Sequence, residues 1–322
     1  MFDDRGDLTE QPSKTTRPST LTGAGLTVLD TDIGYDPDDF VTLVIAAHTE
    51  TDLAVITADE TRGRRAQLAR HVLDLMDLPG VAVIPGIDIG GEHRFVMDEF
   101  IDQPSRTTVI PDPGGVVLEG ADGLVENLVR LCASTDGPIR WVGMGPMTNL
   151  YAVLSLVPDL AERIVVTQMG GWLDRYRDKT RASHNFHTDP VAAGVALRLV
   201  RTPQLVLSDF TNCSAIDVTP DWELLARLRS ATAPRWAPLL AANFDAWFQH
   251  QSTRGRRRGS WMHDPLTLSA ALGLPFVTFT RERIRIERDA RIYRDPDGRV
   301  MDVACAVDYD GFVEWMHEGV CL

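Results

Sequence analysis

The stretch "LTVLDTDIGYDPDDFVTLVIAAH", residues 26–48, decides the fold, because it leads from an apolar strand into an apolar helix through a loop crowded with carboxylates. Asp36 has the side chain of a helix N-cap and Pro37 fits a first turn, so a helix is expected to begin there. Asp38 and Asp39 would follow in that turn, where the helix dipole favours negative charge. Capping therefore accounts for part of this acidic loop.

The other two aspartates of the loop, Asp30 and Asp32, emerge from the strand toward the same place and have no role in a cap. Carboxylates that are buried without partners are strongly disfavoured. A hard divalent cation that prefers oxygen ligands, Ca²⁺ or Mg²⁺, would neutralise the whole set. The pattern therefore favours a metal site over a helix cap alone.

Short apolar runs alternate with helical patterns along the rest of the chain. Strands are predicted at 26–31, 52–59, 80–86, 139–145, 163–171 and 203–210, and helices at 64–78, 122–134, 146–157 and 190–200. This alternation is typical of βαβ units. It predicts an α/β fold with a mostly parallel, doubly wound, Rossmann-like sheet and helices on both faces. The C-terminal third, with a late antiparallel hairpin, is predicted to be an elaboration of it.

Composition bounds the organisation and the partners. Residues 1–24 are polar and rich in Pro and Thr, which predicts a disordered N-terminal tail followed by one domain at 25–322. The sequence has no apolar run of membrane-spanning length, and its net charge of −14 argues against a nucleic-acid partner. The cysteines are irregularly spaced, which favours reduced thiols. We expect a cytoplasmic protein.

Polar segments follow several of the predicted strands directly: "DTDIGYDPDD", "TADE", "GMGP" and "MGGW". In an open parallel sheet, ligands bind at the carboxyl edge of the strands. The acidic loop and these segments are therefore expected to share one site.

Five motifs occur in a fixed order: "DTDIGYDPDDF" (30–40), "GMGPMTNL" (143–150), "MGGW" (169–172), "NFHTDPVAA" (185–193) and "HDPL" (263–266). With them the sequence resembles the inosine-uridine-preferring nucleoside hydrolases over about residues 26 to 320. The resemblance implies the fold of that family and metal-dependent hydrolysis of an N-glycosidic bond. It further implies Ca²⁺ as the cofactor, a small nucleoside-like substrate and a homo-oligomer, either a dimer or a tetramer.

The resemblance also implies roles for individual residues. Asp32 would bind Ca²⁺ and act as general base on the attacking water, and His263 would assist departure of the base. The implied metal ligands are Asp32, Asp39, the backbone carbonyl of Met144, and Asp264. The implied substrate-binding residues are Asp38, Asp59, Asn185 and Asp264.

This chemistry agrees with the residue types. Breaking an N-glycosidic bond builds an oxocarbenium-like cation, as in glycoside hydrolysis. The reaction needs an activated water, negative charge near the sugar, and help for the leaving group. Carboxylates and a histidine can supply these.

The sugar pocket departs from the family's usual pattern. Ala58 and Asp59 replace a Gly-Asn pair, and Ser183-His184-Asn185 replaces Glu-Phe-Asn, which removes a glutamate that typically binds a sugar hydroxyl. Glu119 replaces a common histidine, and Ile33 replaces a proline. A site that hydrogen-bonds one hydroxyl strongly rejects analogues without it. The changes therefore favour an unusual substrate, or loss of turnover.

The aromatic residues Phe244, Trp247 and Phe248 are expected to pack in the core rather than against a base. The segment that follows them, "RGRRRG" (254–259), places four arginines just before the last motif. Arginine clusters suit phosphate or carboxylate recognition. We consider an anionic substrate such as a nucleotide, with a solvated loop as an equally good explanation of the arginines Arg254, Arg256, Arg257 and Arg258.

Two other functions remain open. A Mg²⁺-dependent phosphohydrolase of the haloacid dehalogenase type shares the opening "VLDTD", but Gly34 stands where that class has Thr or Val. A non-catalytic or repurposed binding protein with the same fold would explain the missing glutamate. The retained Asp32, Asp39, Asp264 and His263 count against it.

Overall fold

The computed structural model of the chain describes residues 25–90, 94–101, 120–133 and 135–320. The predicted tail at 1–24 and Glu119 lie outside these residues. Nine strands of the described chain form one sheet: β1 (Thr27–Thr31), β2 (Leu53–Thr57), β3 (Ala82–Ile84), β4 (Ile139–Gly143), β5 (Ile164–Met169), β6 (Gln204–Val206), β9 (Val277–Ile286), β10 (Ile292–Arg294) and β11 (Arg299–Val307). A separate two-stranded sheet joins β7 (Asp217–Val218) to β8 (Ser260–Trp261).

The helices of the described residues follow the predicted alternation in the first two thirds of the chain. They are α1 (Asp38–Thr49), α2 (Arg64–Leu75), α3 (Gly120–Cys132), α4 (Thr148–Leu156), α5 (His184–Thr188), α6 (Pro190–Leu199), α7 (Ser208–Thr211), α8 (Glu223–Leu228), α9 (Ala237–Thr253), α10 (His263–Ala271) and α11 (Tyr309–Val320). None of them is long and apolar enough to cross a membrane.

The large sheet is mostly parallel and has the order β10-β9-β11-β6-β5-β4-β1-β2-β3. All pairs from β6 to β3 are parallel, as is β6 with β11, whereas β9 pairs antiparallel with both β10 and β11. The late antiparallel segment predicted from the sequence therefore extends the main sheet at one end.

Each face of the sheet carries its own hydrophobic core. Alternate strand residues point to opposite faces, so Leu29 and Val55 pack with α1, α2, α9 and α10, whereas Val28 and Ile56 pack with α3, α4 and α6. Strands buried on both faces are apolar almost throughout, which explains their continuous apolar runs. The prediction of a doubly wound α/β sheet is confirmed.

The start of α1 differs from the prediction. Pro37, not Asp36, occupies the cap position, with φ −83° and ψ −2°, and its carbonyl accepts the Val41 N–H at 3.0 Å. No side chain caps this helix, which begins at Asp38, one residue later than expected, so that proline stands at the N-cap. The carboxylate of Asp36 is thereby left to the acidic loop. At α6 the same Asp-Pro pattern does cap, since Asp189 accepts the Ala192 N–H at 3.0 Å.

Asp209 fixes the segment that follows β5. Its buried carboxylate accepts three backbone N–H groups, from Leu173 at 2.9 Å, Asp174 at 2.7 Å and Arg175 at 2.6 Å. Charge-assisted bonds of this kind are among the stronger hydrogen bonds in proteins. The loop after "MGGW" is therefore held to α7, at the carboxyl edge of the sheet.

We expect Asp209→Ala to release this loop, because three backbone donors lose a buried charged acceptor worth roughly 1.5–3 kcal/mol per bond. Hydrogen exchange in peptides covering residues 173–175 should become faster, and the unfolding temperature should fall. Asp310→Ala, which removes an exposed aspartate in the first turn of α11, is the control. Unchanged exchange in the Asp209 variant would contradict this assignment.

Candidate active site

The acidic loop lies where the strand order of the sheet changes direction. Strand β1 has β2 on one side and β4 on the other, and its carboxyl end leads into the loop at residues 32–37. A crevice forms at such a switch point because the flanking connections leave on opposite faces. A side chain added at Gly145, after β4, would meet Asp32, after β1, and Ala58, after β2. The side-chain amide of Asn185 donates to the carbonyls of Met144, after β4, and Met169, at the end of β5. The expectation that the polar segments meet at this edge is therefore confirmed for the loops after these four strands.

The carboxylates of the loop are brought together, and those of Asp38 and Asp39 are buried. Asp36, Asp38 and Asp39 each contribute one oxygen, and these oxygens all lie within 4.8 Å of one another. Asp38 and Asp39 are each only 2% exposed, and Asp264, from the first turn of α10, is 4% exposed. Helices α1 and α10 pack together, which delivers Asp264 to the cluster.

Burial is the main cause of raised pKa values throughout this cluster. It raises the pKa of Asp38, Asp39 and Asp264 well above the ordinary value, and the negative charges of their neighbours add to the effect. For Asp264 those neighbours are Asp38, Asp39, Asp32 and Asp36, in that order. The aspartate at 264 is therefore part of the same electrostatic group.

The donor set fits a hard divalent cation. Its ligand atoms are carboxylate oxygens, and the Oδ1 atom of Asp38 is buried with no hydrogen-bond partner among the described residues. A cation would compensate both the crowding and this orphaned oxygen. The group at 36, 38 and 39 could thus hold a metal ion. It includes Asp36, which the sequence suggested only as a cap, and shares Asp39 with the predicted ligand set.

Asp32 and Asp30 lie at the base of the cluster. The Asp32 carboxylate is packed beside Gly145, where an added Cβ would approach its Oδ1 atom to 3.2 Å and the Cβ of Ala58 to 2.7 Å. Asp30 accepts a hydrogen bond from Nδ2 of Asn149 at 2.7 Å. Burial, with the Asp32 charge nearby, raises the pKa of Asp30 to about 7 despite this bond.

A buried arginine holds the backbone of the acidic loop. Arg65, on α2, is 0% exposed, and its guanidinium donates to the backbone carbonyls of Asp32, Ile33, Asp59 and Arg94. Its charge lowers the pKa of Asp32, against the larger raising effect of burial. Arg65 could not be predicted from the sequence, because nothing in "GRRAQL" distinguishes a buried arginine from a surface one.

Asp59 lies two residues beyond the end of β2 and has a left-handed backbone, with φ +47°. Its carboxylate lies 3.9 Å from Nη2 of Arg65, and its carbonyl accepts from Nε of the same side chain at 2.9 Å. The residue is 8% exposed. The predicted substrate contact is thus placed at the edge of the site and is partly engaged by Arg65.

Met144 and Asn185 contact each other. The Asn185 Nδ2 atom donates to the carbonyl of Met144 at 2.5 Å and to that of Met169 at 3.2 Å. The side-chain amide therefore joins the ends of β4 and β5. A carbonyl oxygen has two lone pairs, so the oxygen of Met144 can still accept a further partner.

His263 begins α10, next to Asp264. Its Nδ1 atom is buried and has no hydrogen-bond partner in the described part of the chain. The ring of Trp261 lies 5.9 Å away, and the guanidinium of Arg177 lies 5.3 Å from the centre of that indole. Burial, followed by the charge of Arg177, lowers the pKa of His263 to about 3.

One arginine of the basic segment at 254–259 is held by an ion pair. Arg257 forms an ion pair with the buried carboxylate of Asp217, beside a polar cavity of about 600 Å³ lined in part by Trp222 and Trp261. Arg254 and Arg256 are close enough to the acidic loop that their charges lower the pKa of Tyr35, although burial of that phenol raises it more. Arg257 therefore has a structural partner.

Helix α9 holds the acidic loop from above through aromatic side chains. The Tyr35 hydroxyl lies 3.0 Å from Nε2 of His250, and its ring meets that of Trp247 edge-on at 4.9 Å. Phe244, Trp247 and Phe248 are buried in the core on this face, as expected. Trp247 also donates its indole N–H to the carbonyl of Gly259 at 3.0 Å, which ties α9 to the basic segment.

The sequence is similar to those of known nucleoside hydrolases. Residues 27–314 match the sequence profile of the inosine-uridine preferring nucleoside hydrolases. The pyrimidine-specific ribonucleoside hydrolase RihA of Enterobacter sp. (strain 638) is 25% identical over 90% of this chain and 96% of its own. The probable uridine nucleosidase 2 of Arabidopsis thaliana is 25% identical over 81% of each chain.

Two solved structures share the fold. The plant nucleoside hydrolase PpNRh1 superposes with a TM-score of 0.74 at 19% identity, covering 93% of this chain and 99% of its own. An inosine-uridine preferring nucleoside hydrolase from Bacillus anthracis gives a TM-score of 0.69 at 16% identity, covering 92% and 99%.

Addition of Ca²⁺ or Mg²⁺ should raise the unfolding temperature of chelator-treated protein, because a ligand that binds only the folded state stabilises it, by about 2.7 kcal/mol at one hundred times its Kd. Asp39→Asn should weaken this effect, measured by differential scanning fluorimetry over a titration. Asp159→Asn changes the same charge at an exposed position in the 3₁₀ turn Pro158–Glu162 and serves as the control. Equal shifts in both variants would place the cation elsewhere.

Asp30 and Asp36 should stabilise the metal-free protein less as the pH rises from about 5 to 7.5. Asp30 and Asp36 have folded-state pKa values of about 7 and about 6, above the roughly 3.9 of an unfolded aspartate. In this interval Asp30 and Asp36 bind more protons in the folded chain than in the unfolded chain, so their contribution to the free energy of unfolding falls with pH, whereas burial of His263, which lowers its pKa, acts in the opposite direction. Asp30→Asn keeps an acceptor for Asn149 and should flatten the curve. Parallel curves for wild type and variant would contradict the assignment.

Proposed function

Because this chain belongs to the inosine-uridine preferring nucleoside hydrolase family, and is thus an N-ribosyl hydrolase, we propose that it cleaves a nucleoside, or a modified or anionic nucleoside such as a nucleotide, with Ca²⁺ as its cofactor. The observation that carries the proposal is the convergence of buried carboxylates from the β1–α1 loop and from α10 at the carboxyl edge of the sheet. The haloacid dehalogenase alternative is set aside, because the family match covers residues 27–314.

Asp32, Asp39, Asp264 and the carbonyl oxygen of Met144 are proposed to hold the cation, and Asp36 is a further candidate from the spacing of its oxygen. When bound, the ion supplies positive charge that acidifies a water and offsets the crowding of the carboxylates. Calcium accepts six to eight oxygen ligands, which suits a set of several carboxylates better than the stricter octahedron of magnesium.

Asp32 is the proposed general base. It directly follows β1 at the switch point, and Gly145 leaves open the space beside its carboxylate. Arg65 fixes the backbone of this residue through its carbonyl oxygen, so the carboxylate has a defined position. A base that is held within hydrogen-bond reach of a water can take its proton as the bond to the sugar forms.

Asp38, Asp59, Asn185 and Asp264 are the proposed substrate contacts. Negative charge close to the sugar stabilises the oxocarbenium-like transition state. For Asn185 the amide nitrogen is used by Met144 and Met169, so its Oδ1 atom is the group offered to a hydroxyl. Asp59 differs in chemistry from its family counterpart, since a carboxylate stands in place of an amide.

His263 is proposed to hydrogen-bond the departing base. Its ring lies at the start of α10 next to Asp264, and its unpartnered Nδ1 atom supports this role. A hydrogen bond to the leaving base stabilises the negative charge that develops as the glycosidic bond breaks.

Uridine and cytidine are the first substrates to test, because the RihA relative is named pyrimidine-specific and the plant relative a uridine nucleosidase. A cytoplasmic location and a dimeric or tetrameric state stay predictions of the sequence and of the resemblance. Oligomeric state can be measured alongside activity by light scattering.

A binding protein without turnover is the second candidate. Ser183 stands where a glutamate is usual, and its hydroxyl accepts the Gly171 N–H at 2.7 Å, so it serves the turn after β5. A pocket without that glutamate has one partner fewer for the sugar. Ligand binding with no product would identify this alternative.

Release of free base and reducing sugar from uridine, cytidine, inosine and their monophosphates should depend on Ca²⁺ and stop on chelation. Asp32→Asn should lower kcat by at least about 10²-fold, the lower range of effects for a general base. Asp159→Asn should match the wild type. Activity that survives both chelation and Asp32→Asn would refute the assigned roles of the metal and of the base.

A further inference from the structure

Two nitrogen-rich side chains meet beside the acidic loop. The Nη1 atom of Arg94 lies 2.7 Å from Nδ1 and 2.8 Å from Nε2 of His184. Arg94 has no carboxylate partner within ion-pair distance among the residues that the structure describes. Arg94 can only donate, so a ring nitrogen of His184 accepts from it, and this contact leaves the charge of the guanidinium without a compensating anion among the described residues.

Further positive charge surrounds the pair. Packing around the His184 ring, then the charges of Arg94, Arg181 and His187, lower the pKa of His184, although the residue keeps an exposed surface. A neutral imidazole can still donate one N–H. An oxyanion between the two side chains would receive donors from both, and guanidinium is well suited to bind phosphate.

The pair lies at the sugar side of the proposed site. His184 stands in sequence between Ser183 and Asn185, both of them buried at the carboxyl edge of the sheet. The backbone of Arg94 is held by Nη2 of Arg65 at 3.0 Å, the same side chain that bonds the carbonyl of Asp32. The positive charge of Arg94 is near enough to Asp32 to lower its pKa, against the larger effect of burial.

We propose that Arg94 and His184 form a subsite for a phosphate ester on the sugar of the substrate, a nucleoside monophosphate. This inference rests on the proposed function and assigns anion recognition to residues outside the segment at 254–259. In that segment Arg257 is already paired with Asp217, so it cannot bind a substrate anion without giving up that partner. For Arg94, no carboxylate of the described residues lies within ion-pair distance.

Matched pairs of substrates test the subsite. Uridine is compared with its 5′- and 3′-monophosphates, at low and at high salt, for wild type, Arg94→Gln, Arg94→Lys and the control Arg201→Gln. Arg201 is an exposed arginine paired with Glu162, so its substitution changes the same charge away from the site. Circular dichroism confirms that each variant is folded.

Wild type should prefer a monophosphate over uridine in kcat/KM by roughly tenfold to a hundredfold, the range for one charged hydrogen-bonding contact. Arg94→Gln should abolish that preference, Arg94→Lys should restore part of it, and Arg201→Gln should keep it. The preference should shrink at high salt, since an exposed contact is screened. The ester that is preferred identifies the phosphate position.

Equal kcat/KM for nucleoside and both monophosphates, or a preference that Arg94→Gln retains, overturns the subsite while leaving the hydrolase intact. If no substrate is cleaved, calorimetry with ribose and ribose 5-phosphate decides separately. Tighter binding of the phosphate that is lost in Arg94→Gln supports the subsite without turnover, and equal binding rejects it.

Discussion

The crowding of buried carboxylates at the end of β1 is the constraint on which the rest of this structure depends. Asp38, Asp39 and Asp264 are almost fully removed from water, and burial, together with the charges of neighbouring aspartates, raises the pKa of each. Such a group is costly to fold unless it is protonated or compensated by positive charge. Arg65 supplies part of this positive charge. The negative charge that it leaves uncompensated is the physical argument for a cation.

The sheet makes this arrangement possible. Loops at a switch point can approach from both sides without crossing, so residues from β1, β2, β4, β5 and α10 reach one place. Rigid elements then hold them: Asn185 joins two strand ends, Arg65 joins the loops after β1 and β2 and the segment at 94, and α9 holds Tyr35. Preorganisation of this kind is what places charges usefully before a substrate arrives.

The proposed sugar pocket has become less acidic than is usual in the family. Where the family often has neutral or acidic partners for hydroxyl groups, this chain has Ser183, turned to the backbone, and His184, in contact with Arg94. The acidic end of the site and this basic end are linked by Arg65. A substrate that carries a permanent anion would match the basic end, and the positive charge that develops in its transition state would match the acidic end.

The sequence by itself determined the architecture, because strand hydrophobicity and helix periodicity are local signals: the parallel strands, the flanking helices and the late antiparallel segment all occur near their predicted positions. It also identified the acidic loop and Asp264, since charge crowding and ordered motifs are visible in a linear chain. Only the tertiary structure decided that Asp36 joins the carboxylates instead of capping α1, because that depends on the helical geometry of Pro37. The partners of Arg65, Arg94 and Arg257 were likewise decided by the fold, because an arginine in sequence gives no sign of whether its long side chain will meet a carbonyl, a histidine or a buried aspartate.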